Sequence, residues 1–423
     1  MRKAFTIICL LICSIVFGQG LSKKVLFLGN SYTAVNNLPQ MLADVAASTN
    51  DTVLFDSNTP GGYTLEQHST NATSLNKIAI GNWDYVVLQE QSQLPSFPDA
   101  QVQSSVLPFA KSLDSTINAD NLCGETVFYM TWGRKNGDAS NCASWPPVCT
   151  YTGMDSLLSL RYKIMADSNN AILSPVGAVW KHLRQNFPLI ELYSADESHP
   201  SVAGTYAAAC CFYSSLFRKD PTFITFNASL SPADAVTIRN AAKLIVYDSL
   251  LNWHIGEYDP SANFSYASSG SNQITFTNTS ANATVYFWSF GDGNTSALVD
   301  PTHLYPAAGS YTVTLTASEC GMPHTIIQTV TVAVTALSSF KDLESSWNIF
   351  PNPATTSIVI SLEKKGIVAY RIYSATGKVI LKSALNSEKQ IDITMLPDGM
   401  YFLELYDDDL SFGLNRFIKA ADR

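Results

Sequence analysis

The sequence predicts an α/β domain built on a parallel sheet, followed by two small all-β sandwich domains. Three observations predict it. Between residues 21 and 256, short apolar runs alternate with amphipathic helical stretches. Past residue 258 helical periodicity stops, and β-type runs separated by Gly, Asn and Ser take over. A linker, residues 337–345, divides that β-rich part in two. A length of 423 residues is also too great for one ordinary core.

The strands of the first domain come in order. Val25–Leu28, Thr52–Phe55, Tyr85–Leu88, Thr126–Tyr129 and Ala171–Leu173 are apolar runs of the length expected for strands buried on both faces. Helices lie between them. Leu38, Met41, Leu42, Val45 and Ala46 follow helical spacing, with Pro39 tolerated in the first turn. Met154, Leu157, Leu158, Arg161, Ile164 and Met165 do the same. Helices would cover both faces of the sheet, giving three layers, and chemistry would sit at the carboxyl ends of the strands.

The first twenty residues read as a signal peptide. Arg2 and Lys3 precede the apolar Ile7–Ile12 and Ile15–Phe17, and the small residues Gly18 and Gly20 follow. The apolar run is shorter than the ~20 residues a spanning helix needs, and no later stretch in the mature chain qualifies. Export permits disulfides. Cys142 and Cys149 bracket a short loop, and Cys123 has Cys210 or Cys211 as a possible partner. The six cysteines beyond the signal allow 15 pairings, so connectivity stays open. No CxxC pair or nearby His supports zinc, so no metal is expected. The net charge of −9 and the lack of basic runs argue against nucleic acid as a partner. No glycine-rich nucleotide loop is present, and no cofactor is expected.

Ser31 follows the first strand in Leu28-Gly29-Asn30-Ser31-Tyr32, which places a hydroxyl at the carboxyl edge of the sheet. Gly29 would permit the tight turn. A serine there often merely caps a helix. Asp196-Glu197-Ser198-His199, after the last core strand, changes that reading. A carboxylate three residues before an imidazole can hold one ring nitrogen while the other faces a nucleophile. Of the six histidines only His199 has both the local acid and that position. His68 sits near the start of a helix opened by Gly62-Tyr63-Thr64 and would line the pocket or lie half-exposed. Trp132 and Arg134 follow the fourth strand. Trp132 would stack on a sugar and Arg134 pair with a carboxylate, or both would only order the Cys142–Cys149 insertion.

Together the Gly29-Asn30-Ser31 and Asp196-x-x-His199 blocks resemble the SGNH hydrolases in type and order. The resemblance implies a flavodoxin-like three-layer fold over 21–256, with Ser31 as nucleophile and Asp196 and His199 as its base pair. It also implies an oxyanion hole made by the Ser31 N–H, a glycine N–H and an Asn side chain. Gly62 is the candidate glycine. Where that family has Gly-x-Asn-Asp, this chain has Gln89-Glu90-Gln91-Ser92, so Gln91 takes the Asn position by register, with Gln89 as the alternative. A longer amide still donates.

Two further resemblances complete the chain. Trp288-Ser289-Phe290-Gly291-Asp292-Gly293, His303-Leu304-Tyr305 and Gly309–Val313 resemble a PKD domain over 259–336. Gly291-Asp292-Gly293-Asn294 is read there as a turn rather than a calcium loop. Asn348-Ile349-Phe350-Pro351-Asn352-Pro353, Pro397–Tyr401 and a basic strand near the end resemble a type IX secretion sorting domain over 346–423. That implies a Bacteroidetes-like source and handling by the type IX machinery, delivering the protein outside the cell or to its surface.

The combined expectation is a secreted serine esterase acting on carboxylic esters, with acetyl or other O-acyl groups on a glycan as the substrate. Two alternatives stand beside it. One is a lipase or lysophospholipase, disfavoured because no apolar lid is evident. The other is a surface glycan-binding module that has lost activity, favoured only by the change from Asn to Gln.

Overall fold

The computed structural model describes residues 20–270, 272–333, 347–362, 369–407 and 410–421. The expected signal peptide up to Gln19 and the expected linker 337–345 lie outside the described residues. The chain divides into two compact units. One holds residues 1–264 with 279–288 and 315–326. The other holds 265–278, 289–314 and 327–423.

In the first unit five strands form a parallel sheet: β1 (Ser22–Leu28), β2 (Thr52–Asn58), β3 (Tyr85–Leu88), β4 (Glu125–Tyr129) and β5 (Ile172–Ser174). Their order is β2-β1-β3-β4-β5, the doubly wound, flavodoxin-like order that the sequence predicts. Leu26 stands opposite Asp56 on one side and Val86 on the other. Side chains alternate across a strand, so each strand feeds two cores. Val25, Phe27, Val87, Val127 and Tyr129 face one core, while Leu26, Leu28, Val86, Leu88 and Phe128 face the other.

Ten helices alternate with these strands. They are α1 (Ser31–Ala34), α2 (Leu38–Ala47), α3 (Leu65–Thr70), α4 (Ala72–Ile78), α5 (Asp99–Ser105), α6 (Leu107–Asp120), α7 (Tyr151–Asn169), α8 (Val176–Asn186), α9 (Val202–Phe217) and α10 (Pro232–Ile245). Buried residues of α2, α8, α9 and α10 fill the first core; those of α6 and α7 fill the second. Leu38, Leu42 and Val45 of α2 are fully buried, each contributing about 1.5–3 kcal/mol of transfer free energy. A charge at Leu42 would forfeit that and strand an ion in the core. Helix α9 is buried on every side, from Ala203 to Phe217, as its near-continuous apolar sequence requires. Its Gly204 is obligatory, because a Cβ there would meet the Trp180 ring at 2.4 Å.

Cys142 and Cys149 are bridged across their short loop. The second bridge departs from expectation, for Cys123 joins Cys320, within the first unit. Cys210 and Cys211 are free and sealed inside α9, whereas Cys123 is exposed in the loop entering β4.

Residues 264–332 carry β6 (Phe264–Gly270), β7 (Gln273–Asn278), β8 (Val285–Ser289), β9 (Thr295–Ser296), β10 (Thr302–Leu304), β11 (Gly309–Glu319) and β12 (Met322–Val332). They form a three-stranded and a four-stranded sheet. Residues 347–419 carry β13 (Trp347–Phe350), β14 (Ser357–Leu362), β15 (Ala369–Ser374), β16 (Val379–Ala384), β17 (Gln390–Asp392), β18 (Gly399–Asp407) and β19 (Leu410–Lys419), again in two sheets. Trp347, Ile358, Ile372, Leu403 and Phe417 are among their buried core. The short β9 and β10 were not expected, having too few residues for an alternating pattern.

Candidate active site

Ser31 opens α1, one residue past the Gly29-Asn30 turn that ends β1. Asn30 is the helix cap: its backbone is extended and its Oδ1 accepts from the Tyr32 N–H at 3.1 Å. Gly29 has a different purpose from the expected turn, for its φ is not positive. A Cβ there would meet Gln89 Oε1 and Thr33 Oγ1, each at 2.7 Å. Glycine lets the Gln89 amide approach the nucleophile loop.

The hydroxyl Oγ of Ser31 lies 2.8 Å from His199 Nε2. His199 Nδ1 is hydrogen-bonded to Asp196 Oδ2. Asp196 Oδ1 accepts from the backbone N–H groups of Ser198 and His199 at 3.1 and 3.0 Å. Partial burial would raise the Asp196 pKa, but these bonds outweigh it and hold the carboxyl below its ordinary range. Residues 31, 196 and 199, chosen from the sequence, thus meet at the carboxyl end of the sheet.

The loop carrying Asp196 and His199 is gripped from the exit of β4. Trp132 Nε1 donates to the Ser198 carbonyl at 3.1 Å, and Tyr193 donates to the Gly133 carbonyl at 2.6 Å. The Lys135 N–H donates to the Glu197 carbonyl at 2.9 Å, and the Asn136 amide to the Glu197 carboxylate at 2.8 Å. Tyr32 hydrogen-bonds the Ser198 hydroxyl at 2.7 Å and makes an edge-to-face contact with the His199 ring, centroids 5.3 Å apart.

Two sequence expectations are corrected here. Trp132 cannot stack on a sugar, because it is fully buried between Tyr32 and Trp180, with ring centroids 4.9 and 3.6 Å away. His68 does not line a pocket. It is fully buried, with Nδ1 2.7 Å from Ser74 Oγ and Nε2 2.9 Å from the Gly29 carbonyl. Burial lowers its pKa, which favours the neutral ring, against the hydrogen bond to the Gly29 carbonyl. Arg134 stays partly exposed and pairs with Asp138. Asp138 also accepts from Gln93, Ser140 and Asn141, which ties Arg134 to the disulfide-closed insertion.

The proposed oxyanion donors divide. Gly62 is exposed at φ +73, with open space on its Cβ side. Gln91 is half-buried, its Oε1 accepting from the Gln93 and Leu94 N–H groups while its Nε2 faces Gln93 Oε1 at 3.2 Å. The alternative, Gln89, is excluded as a donor to substrate. It is fully buried; its Nε2 donates to Asn30 Oδ1 and the Glu90 carbonyl, and its Oε1 accepts from Asn30 N–H and Thr33.

Asn30 and Glu90 were not singled out from sequence. Asn30 Nδ2 donates to the Tyr63 carbonyl at 2.9 Å. The Glu90 carboxyl is fully buried and accepts from the Leu65 N–H at 3.2 Å and from the Gln91 N–H. Burial pushes it up to about 8, against those two bonds. The available signal was a run of polar residues directly after a buried strand.

Residues 259–334 match the family described as the PKD domain, and residues 348–419 the family described as the secretion system C-terminal sorting domain. The chain carries a PKD domain and a secretion sorting domain. In the PKD domain Asp292 pairs with His303 at 2.7 Å and accepts from the Asn294 N–H, the arrangement of a closed turn. The PKD1 domain of the Vibrio cholerae metalloprotease PrtV is 39% identical, covering 18% of this chain and 96% of that one at a TM-score of 0.17. A DUF4886 family protein from Bacteroides uniformis is 18% identical, covering 54% of this chain and 95% of that one at a TM-score of 0.47. A putative SGNH hydrolase from Slackia heliotrinireducens is 27% identical, covering 45% and 97% at a TM-score of 0.38. No curated protein matches the chain. Among the described residues no helix is long and apolar enough to cross a membrane, and no cluster of three metal-ligating side chains occurs.

Proposed function

We propose that the α/β domain, residues 21–256, is a serine esterase of the SGNH type. The observation that carries this reading is the unbroken line Ser31–His199–Asp196 at the carboxyl end of a doubly wound sheet. His199 takes the Ser31 proton as Oγ attacks the ester carbonyl. Asp196 holds the ring with Nδ1–H toward itself, leaving Nε2 free for the proton. The oxyanion is held by the N–H groups of Ser31 and Gly62 and by the Gln91 side chain, each worth roughly 10²–10³ in rate. His199 then protonates the leaving alcohol. Water, deprotonated by the same nitrogen, attacks the acyl-serine carbonyl and releases the acid and free Ser31.

The substrate we propose is a short acyl ester, acetyl above all, on a hydrophilic alcohol such as a glycan. Gln91, Arg134 and Asp196, in and beside the active-site loops, reach solvent with polar side chains, beside the partly exposed Tyr63 and Leu94. The sorting domain supports handling by the type IX system and action outside the cell, with the signal peptide at 1–20 as the first export step. The test is hydrolysis of short acyl chromogenic esters by the full chain beside Ser31→Ala. Turnover that falls with acyl length and vanishes in the variant is expected. Equal activity in the variant would sink the reading, and a rise with long chains would favour a lipase.

A further inference from the structure

Three candidate oxyanion donors follow three different strands: Ser31 opens α1, while Gly62 and Gln91 lie in loops. Ser31 follows β1, Gly62 follows β2 and Gln91 follows β3. Their mutual placement therefore depends on side chains that bridge the loops. Two buried residues do so. Asn30, beside Ser31, donates to the Tyr63 carbonyl, next to Gly62, at 2.9 Å. The Glu90 carboxyl, beside Gln91, accepts from its neighbour's N–H and reaches across to the Leu65 N–H, with Oε1 and Oε2 at 3.2 and 3.3 Å. Leu65 is the first residue of α3, and its N–H has no partner within the helix. Glu90 supplies that partner from the loop after β3. Gln89 completes the frame by exchanging two hydrogen bonds with Asn30, both at 2.9 Å.

We propose that Glu90 is a positioning residue for the oxyanion hole, its side-chain oxygens locking the loop after Gly62 to the backbone of Gln91. A buried carboxyl is costly unless it is hydrogen-bonded, and Glu90 meets that cost through its bonds to the Leu65 and Gln91 N–H groups. Preorganised donors act only if they do not have to move when charge develops, so loosening either loop lowers the rate of the chemical step more than substrate binding. This inference rests on the esterase reading of Ser31.

The experiment measures kcat and KM on a short acyl ester for the full chain with Glu90→Met, Glu90→Gln and Ser31→Ala. Glu90→Met keeps length but removes both acceptors. We expect kcat to fall about tenfold or more, with KM within about twofold. Glu90→Gln keeps an acceptor oxygen and should restore most of the loss. Equal losses in the Met and Gln variants, or full kcat in Glu90→Met, would overturn the assignment. If Glu90→Met does not fold, Leu65→Pro removes the same bond from the opposite side, at a first-turn position that suits proline. A wild-type kcat in that variant overturns the assignment equally. Undiminished turnover in Ser31→Ala overturns the underlying esterase reading instead, so the two failures are told apart.

Discussion

The indole N–H of Trp132 donates to the carbonyl of Ser198, the residue directly before His199, at 3.1 Å. The same indole stacks between Tyr32, one residue past Ser31, and Trp180 of α8. One buried ring thus braces both Tyr32, beside the nucleophile, and Ser198, beside its base.

Replacing Trp132 with Phe keeps an aromatic ring but leaves the Ser198 carbonyl without its donor. A loss of about 2–3 kcal/mol in stability is expected, from the missing hydrogen bond and from the space the larger buried ring leaves. On the proposed chemistry kcat falls while KM stays close to the parent value. Thermal melts and steady-state kinetics on one preparation check both. An unchanged kcat would show that the loop holds His199 without this bond.

Asp196→Asn keeps the shape of the carboxylate but not its charge or its preference for the Nδ1–H tautomer. Turnover should drop on the order of 10³–10⁴-fold, as expected when an orienting carboxylate is lost from such a triad. Stability should move little, because Asp196 is exposed and His199 half-exposed, so solvent screens the pair. Kinetics and a melt of the same variant separate the two effects.

Glu90 makes stability fall as pH rises. The unfolded chain ionises this carboxyl near its ordinary value of 4.5, while the fold holds it neutral up to about 8. Between those values the folded state binds the extra proton. Its stabilisation is complete below about 4.5 and declines toward pH 8, by at most ~1.4 kcal/mol per pH unit. The lowered carboxyls Asp51, Asp138 and Asp196 act in the opposite sense and in a more acidic window. His68, whose pKa burial lowers from 6.5, also acts in the opposite sense below about that value. Melting temperature should therefore slope downward most clearly between about pH 6.5 and 8, and Glu90→Gln should flatten that slope.

The two disulfides should differ in weight. Cys123–Cys320 closes a separation of 197 residues and Cys142–Cys149 one of 7. Loop-closure entropy assigns them about 5 and about 2.5 kcal/mol. Cys123→Ala with Cys320→Ala should cost clearly more in denaturant unfolding than Cys142→Ala with Cys149→Ala. Equal costs would mean that the long loop is already compact in the unfolded chain.

What was legible in the sequence was local. Val25–Leu28 and Tyr85–Leu88 announce buried strands by composition, and Asp196-x-x-His199 is a unit within one loop. Ser31 became readable only beside that unit. What was hidden depends on burial and on distant partners. Trp132 looks like a surface platform in sequence, since a strand exit often faces solvent. Its burial follows from Tyr32 and Trp180, which lie far from it along the chain. His68 was misread because its partners, Ser74 and the Gly29 carbonyl, do not show in helical spacing. The Cys123–Cys320 pairing is set by proximity in space alone, and Gln89 was excluded as a donor only when its partners in the Asn30 loop became visible.

The hydrogen bond between Ser31 and His199 joins the first strand's exit to a loop beyond the last strand. A ribosome releasing this chain exposes the hydroxyl long before the imidazole exists to activate it. On the proposed chemistry, ester turnover is therefore a reporter of a finished sheet. Every truncation short of residue 199 yields a silent protein, however well its early strands have paired.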